Sequence, residues 1–369
     1  MGYNQPKVVA AIRAFEAGEI VVVTDDDDRE NEGDLIVAAV HCTAEKMAFI
    51  IRHTSGIVCA PMTGVEAKRL NLAPMVAEND APHATAFTVS VDYKHGTTTG
   101  ISAEERTSTA RALANPNSGA ADFVRPGHVF PLVSREGGVL MRSGHTEAAT
   151  DLCRLAGLPQ VGVISELMNE DGSVMRGPQV ADFAARHGLM QVSVSELIAY
   201  RQRSESLIER VGEAQVMTLA GPATAITYTT PWDPMHHLAV IYGDIRDGRD
   251  VPVRLQIESV LDDAFGASDS LARVMKQIAQ AGRGVIVYLR EGSVGVAHIE
   301  RRSQADISHD GEEHREARNR RNEWLEIGLG AQILRDLGIE SIEVLASRER
   351  HYVGVEGFGI EISKTVLFE

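Results

Sequence analysis

Between residues 25 and 34 the chain reads Asp-Asp-Asp-Asp-Arg-Glu-Asn-Glu-Gly-Asp, seven carboxylates in ten positions. Crowded carboxylates raise one another's pKa and cost free energy unless cations neutralise them. A solvated surface loop is one way to tolerate such charge. A hard divalent cation is the other: magnesium takes oxygen ligands, keeps several waters and needs only one or two protein carboxylates. The run directly follows Ile20-Val-Val-Val-Thr24, a β-branched stretch that predicts a buried strand. Arg29 and Gly33 lie inside it. That placement weighs towards a built site.

A second group lies at Arg142-Ser-Gly-His-Thr146. It offers a guanidinium for phosphate or carboxylate, a glycine for close backbone approach, an imidazole and a hydroxyl. It adjoins a helix predicted over 146–156, whose N-terminus suits an anion. His145 either completes a metal site with a distant carboxylate or is structural. His128 lies in Arg125-Pro-Gly-His-Val-Phe-Pro131, where two prolines and a glycine predict irregular backbone. There it is either a rigidly held acid or base, or a histidine bonded within its loop. Glu166 ends an apolar strand predicted over 161–166, where partial desolvation would move a carboxyl towards a pKa useful for proton transfer. Cys59 ends another apolar run and reads as a buried, inert thiol.

The elements that must hold these groups follow from periodicity. Helices are predicted over 8–17, over 43–52 with Thr43 as N-cap, and over 104–113, 180–187 and 195–202. Further strands are predicted over 35–40 and 56–60, with strand character over 87–91. From Arg201 to Glu209 the pattern turns polar and charged, which places a domain boundary there and gives domains 1–205 and 206–369. The second half carries strand-like runs at 238–242, 253–257 and 285–289 and helix-like runs at 271–281 and 324–337. The charge-dense run 298–323 reads as a solvated helix face plus loop.

The bulk numbers narrow the classes. A length of 369 residues favours two domains. A net charge of −16 disfavours nucleic acid as a partner. The three cysteines, Cys42, Cys59 and Cys153, form no CxxC pair, so neither a zinc ribbon nor a disulfide framework is indicated. The first twenty residues lack a secretory pattern, and no apolar run approaches the roughly 18 residues of a membrane span. A cytoplasmic protein without a membrane partner is expected.

Six segments in order, DDDDRENEGD (25–34), RHTSGIVCAPM (52–62), TTTGIS (97–102), RPGHVFPL (125–132), GGVLMRSGHTEAATDLCRLAG (137–157) and VISELMNEDGSVMR (163–176), resemble 3,4-dihydroxy-2-butanone 4-phosphate synthase. The likeness runs over about residues 5 to 205. It implies an α+β domain with a mixed sheet and a lyase of riboflavin biosynthesis. Such an enzyme works as a homodimer and converts ribulose 5-phosphate to the four-carbon phosphate and formate. It implies two magnesium or manganese ions per active site. Carried over, Glu30 bridges the metals and His145 is the other protein ligand. Arg29 and Asp34 contact substrate, and Arg142, Ser143, Gly144, His145 and Thr146 wrap it, with Arg142 and Thr146 near the phosphate. His128 and Glu166 match positions essential for catalysis, Glu166 also touching substrate. Thr98, Thr99 and Cys59 line the same site.

Residues from about 208 onward resemble GTP cyclohydrolase II, an α/β domain, through HLAVIYGDI (237–245), GRGVIVYLREG (282–292), GLGAQILRDLGI (328–339) and YVGVEGFGIEI (352–362). That family holds a zinc with three cysteines. Here VRLQIESVLDDAFGASDSLARVM (253–275) has none, and Asp262, Asp263 and Asp269 are poor substitutes for soft ligands. The family's EGRG is Glu291-Gly-Ser-Val294, its Asp-x-Arg is Glu323-Trp324-Leu325, its TNNP is Ala346-Ser347-Arg348-Glu349 and the following lysine is His351. A second domain without zinc or ring-opening activity is expected, acting in dimer support, regulation or contact with another riboflavin-pathway enzyme. The alternatives are a bifunctional enzyme with an atypical second site and a non-catalytic scaffold.

Overall fold

The structure is a computed structural model and describes residues 5–25, 30–81, 85–266, 268–290, 328–346 and 359–367. The chain divides into two compact units, Met1–Arg201 and Gln202–Glu369. Arg29, the positions from Glu291 to Leu325 and those from Ser347 to His351 lie outside the described residues.

The first unit is built on a sheet of β1 (Val21–Thr24), β2 (Gly33–Ala38), β3 (Cys59–Met62), β4 (Val91–Tyr93), β5 (Phe123–Val133), β6 (Gly162–Glu166) and β7 (Met190–Ser193). Its strand order is β4-β5-β3-β6-β2-β1-β7, with parallel and antiparallel pairs. Side chains alternate across a strand. Val22, Leu35 and Val37 therefore enter one core with α2 (Ala44–His53), α4 (Ala103–Ala114) and α6 (Pro178–His187). Val21, Val23, Ile36 and Ala38 enter another with α1 (Gln5–Glu16), α5 (His145–Leu155) and α7 (Val194–Ser204). The sheet is thus buried on both faces, which explains the short apolar runs of β1, β2 and β6. Thr43 caps α2 as expected, accepting from the Lys46 N–H. A short α3 (Gly64–Arg69) follows β3.

Two expectations need correction. Residues 125–131 are not irregular but lie within the eleven-residue strand β5. Val91 pairs with Val129 while Asp92 pairs with Val124, so 125–128 bulge from the β4 side of the ladder. The bulge absorbs Pro126, which has no N–H to donate. Gly127 fits because a Cβ there would meet the Val91 carbonyl carbon at 2.0 Å. The strand expected over 56–60 begins only at Cys59, because Gly56 sits at φ +74° in a turn.

The second unit has its own mixed sheet, in the order β14-β13-β11-β12-β10-β9-β8. The strands β8 (Glu209–Thr218), β9 (Gly221–Thr230) and β10 (Asp233–Tyr242) form an antiparallel meander. The strands β11 (Val251–Ile257), β12 (Gly284–Leu289), β13 (Ser341–Ala346) and β14 (Glu361–Leu367) run parallel. Helix α9 (Ser270–Ala281) packs Val274 and Ile278 on one face, and α10 (Gly330–Asp336) packs Ala331, Ile333 and Leu334 on the other. A one-turn helix, α8 (Val260–Asp263), follows β11.

Candidate active site

Strand register brings the first unit's chemistry to one edge of its sheet. Asp34 of β2 lies opposite Glu166 of β6. Cys59 of β3 pairs with Ile164, two residues before Glu166, and Phe130 of β5 pairs with Cys59. His128, two residues before Phe130, is therefore level with Glu166 on the same edge. Beyond β2, the end of β1 delivers Asp25. The order β5-β3-β6-β2-β1 thus sets His128, Glu166 and Asp34 level with one another, with Cys59 two residues further in and Asp25 two residues further out.

Within the acidic run, Asp25 is buried. Its Oδ1 accepts the Glu32 N–H at 2.8 Å and its Oδ2 the Glu30 N–H at 3.1 Å, which folds the loop back over the sheet edge. The Glu30 Oε2 then lies 4.0 Å from the His145 Nδ1, and the Asp34 Oδ1 lies 3.7 Å from the same nitrogen. One ligand atom each from Asp25, Glu30 and His145 fall within 4.8 Å of one another. Asp34 is 2 % exposed, and its Oδ1 is buried with no hydrogen-bond partner among the described residues. Burial, then the charges of Glu166, Glu30, Asp25 and Glu32, hold its carboxyl well above the usual aspartate range. Burial also raises Glu32, against its 3.1 Å hydrogen bond from Arg176. An orphaned carboxylate oxygen beside two carboxylates and an imidazole fits a divalent cation with oxygen preference.

The Arg142–Thr146 segment meets this cluster through its helix. Gly144 is the N-cap of α5 and His145 its first residue, so Thr146 lies inside the helix rather than ahead of it. Arg142 donates from Nη1 to the Glu147 Oε2 at 2.7 Å and from Nη2 to the Thr85 Oγ1 at 3.0 Å. Ser143 is half-buried and Thr146 buried. Cys59 is buried, and burial, then Glu166 and Asp34, push its thiol up, so the sulfur stays protonated. Glu166 accepts the Ser55 hydroxyl at 2.8 Å.

His128 forms a separate group. Its N–H donates to the Asp92 Oδ1 at 2.8 Å and its Nδ1 lies 2.7 Å from the Asp92 Oδ2, which leaves Nε2 facing away from the carboxylate. Strands β5 and β6 are two steps apart, about 10 Å at ordinary strand spacing, so His128 and Glu166 share no direct hydrogen bond. The Thr97–Gly100 turn packs on Asp92, where a Cβ at Gly100 would meet the carboxylate at 2.0 Å. Thr98 donates its hydroxyl to the Glu105 Oε1 at 2.7 Å. Its backbone N–H and hydroxyl, then Ser102, hold Glu105 down at about 2. Thr99 is exposed in the same turn.

Sequence reasoning did not single out Asp25 within its run, nor Asp92 or Glu147. Asp25 had a signal, being the first acid after the β-branched strand. Glu147 had one in its place within the first turn of the helix that His145 opens. Asp92 had none, since its partner is 36 residues away.

The first unit matches the family 3,4-dihydroxy-2-butanone 4-phosphate synthase over residues 9–200, and the second matches GTP cyclohydrolase II over residues 209–367. The chain is 46% identical over 363 residues to the bifunctional riboflavin biosynthesis protein RIBA 1, chloroplastic, of Arabidopsis thaliana, covering 95% of this chain and 67% of that protein. It therefore spans about two thirds of the length of that relative. RibBX, a two domain 3,4-dihydroxy-2-butanone 4-phosphate synthase from A. baumannii, is similar with a TM-score of 0.79 and 34% identity, over 98% of both chains. A 3,4-dihydroxy-2-butanone 4-phosphate synthase in complex with two magnesium ions is 46% identical with a TM-score of 0.53, over 53% of this chain and 97% of its own. With an ordered motif set, a matching sheet and a family match over half its length, the chain belongs to the 3,4-dihydroxy-2-butanone 4-phosphate synthase family of enzymes, its domain fused to a GTP cyclohydrolase II-like one.

Proposed function

We propose that the first unit converts ribulose 5-phosphate to 3,4-dihydroxy-2-butanone 4-phosphate and formate. The single observation that carries this is the meeting of Glu30, His145 and Asp25 where α5 begins. Glu30 and His145 are the residues to hold magnesium or manganese, two ions per site, with Asp25 added by geometry. When bound, such a cation supplies positive charge against the oxyanion that develops as substrate loses a proton next to its carbonyl. Arg142, Ser143, Gly144 and Thr146 bind the phosphate end at the start of α5, where the helix dipole favours an anion. Arg29 and Asp34 contact the sugar, with Thr98, Thr99 and Cys59 lining the site. Dehydration, skeletal shift and formate loss each move protons, and no single group is acid and base at once. Glu166 serves one end of the substrate and His128 the other, the latter with its tautomer set by Asp92. The active form is a homodimer.

In the second unit we propose that GTP ring opening is absent. The three acids in place of the cysteine segment are already engaged: Asp262 by the Ser259 hydroxyl at 2.8 Å, Asp263 by the Tyr288 hydroxyl at 2.7 Å and Asp269 by Arg273 at 2.6 Å. The names of relatives divide on this point, one being bifunctional and another a two domain synthase. That second unit would then support the dimer, regulate it, or contact another riboflavin-pathway enzyme. Incubating purified chain with magnesium and ribulose 5-phosphate, and separately with GTP, decides both parts. Formate from the sugar phosphate alone is expected. Formate from GTP with stoichiometric zinc overturns the second part, and none from ribulose 5-phosphate overturns the first.

A further inference from the structure

Residues 135–144 carry Arg142 to the start of α5, and they hold little regular structure beyond a short 3-10 turn at Gly138–Leu140. Two buried carboxylates one helical turn apart on α5 tie this loop down. Glu147, 1 % exposed, accepts the Arg135 N–H at 3.0 Å with Oε1 and Arg142 Nη1 at 2.7 Å with Oε2. Asp151, 4 % exposed, accepts the Val139 N–H at 2.9 Å and Arg201 Nη1 at 2.8 Å. The same Arg201 nitrogen donates to the Gly137 carbonyl at 2.6 Å. Both ends and the middle of the loop are therefore fixed to one helix face. The packing is close enough to exclude side chains. A Cβ at Gly144 would meet Arg142 Nη1 at 2.5 Å and Glu147 Oε2 at 3.0 Å, and one at Gly138 would meet Asp151 Oδ1 at 2.3 Å.

We infer that Glu147 is a positioning residue for the phosphate end of the substrate: it aims the Arg142 guanidinium and seats the loop, with Asp151 as the second anchor. The inference rests on the synthase reading proposed above. Glu147 spans the loop's entry at Arg135 and its cation at Arg142 with one carboxylate, so it sets the direction in which the other guanidinium N–H groups point. A charge-assisted hydrogen bond to each carboxylate oxygen, one from Arg142 and one from the Arg135 N–H, adds geometric selection to attraction. A carboxylate in that position also offsets part of the arginine's charge, so attraction alone predicts tighter phosphate binding when it is removed. Orientation predicts the reverse.

The test is Glu147→Gln in the full chain, with Glu147→Asp beside it. Gln keeps one acceptor oxygen but must turn its NH2 towards either the Arg135 N–H or the Arg142 guanidinium, placing donor against donor. Expected are a KM for ribulose 5-phosphate and an inhibition constant for inorganic phosphate both raised on the order of tenfold, with kcat changed much less. Magnesium affinity measured by calorimetry should not move, since Glu147 is not a ligand. Glu147→Asp, which restores the charge, should recover part of the phosphate affinity. Unchanged or tighter phosphate inhibition in a folded Glu147→Gln overturns the inference. Wild type with no turnover overturns the synthase reading instead, so the two failures are distinct.

Discussion

Both sheets gather carboxylates at the ends of strands, and the two groups are built in opposite ways. In the first unit Glu166, Glu30, Asp25 and Glu32 all act on Asp34, and every cause that shifts Asp34 raises it. In the second, Glu258 pairs with Arg290 at 2.9 Å, and Asp263 takes the Tyr288 hydroxyl, the Gln256 amide and the Ser259 N–H. Its effect runs outward: burial and then Asp263 push the Tyr288 phenol up. A carboxylate already served by local donors gains little from a cation. A buried carboxylate whose ionisation every neighbour disfavours, as at Asp34, gains most. Acid count does not separate the two regions; compensation does.

Breaking the first group should have the largest effect. Glu30→Ala is expected to lower turnover of ribulose 5-phosphate by at least about a thousandfold, with circular dichroism and melting unchanged or improved. Retained turnover would contradict the metal role of that carboxylate.

Next comes stability without metal. Because the folded state raises the Asp34 pKa, the native protein keeps that proton where the unfolded chain has lost it. Metal-free stability is then greatest below the ordinary aspartate value, about 3.9, and declines as pH rises through the higher folded value. Asp34→Asn removes the decline. At pH 7 the metal-free variant should melt on the order of 5 °C above wild type, while turning over no substrate. Magnesium should raise the melting temperature of wild type more than that of the variant. A metal-free variant that melts below wild type at pH 7 would mean the carboxylates are compensated after all.

The smallest effect belongs to the second group. Asp263→Asn weakens its hydrogen bonds from Tyr288 and Ser259 and should cost about 1 kcal/mol in urea unfolding. Ribulose 5-phosphate turnover should be unaffected. A drop in turnover without loss of stability would show that this edge serves the first unit's chemistry.

Much of this contrast was legible in the chain. The strand that delivers Asp25 and the Arg-Ser-Gly-His-Thr segment at a helix start both sit where they were expected, because buried strands and helix entries have short-range signatures. The missing cysteines in 253–275 were equally plain. What escaped were features fixed by distant partners. Residues 125–131 look unable to form a strand until β4 accommodates their bulge. The β8–β9 hairpin was not anticipated: β8 is exposed along nearly its whole length, so burial imposes no pattern on it. Glu147 and Asp151 look like ordinary helix acids, and only the loop folding back over α5 makes them anchors.

The shared register of β2 has a consequence for how the chain can vary in length. Asp34 faces Val23 on one side and Glu166 on the other. A strand shifted by one residue turns all its side chains over. A single-residue insertion or deletion anywhere from Gly33 to Ala38 would carry Asp34 away from its neighbours while leaving composition almost untouched. Indels in this stretch should be tolerated far less than those in the turn at Asn169–Gly172, where the backbone closes on itself.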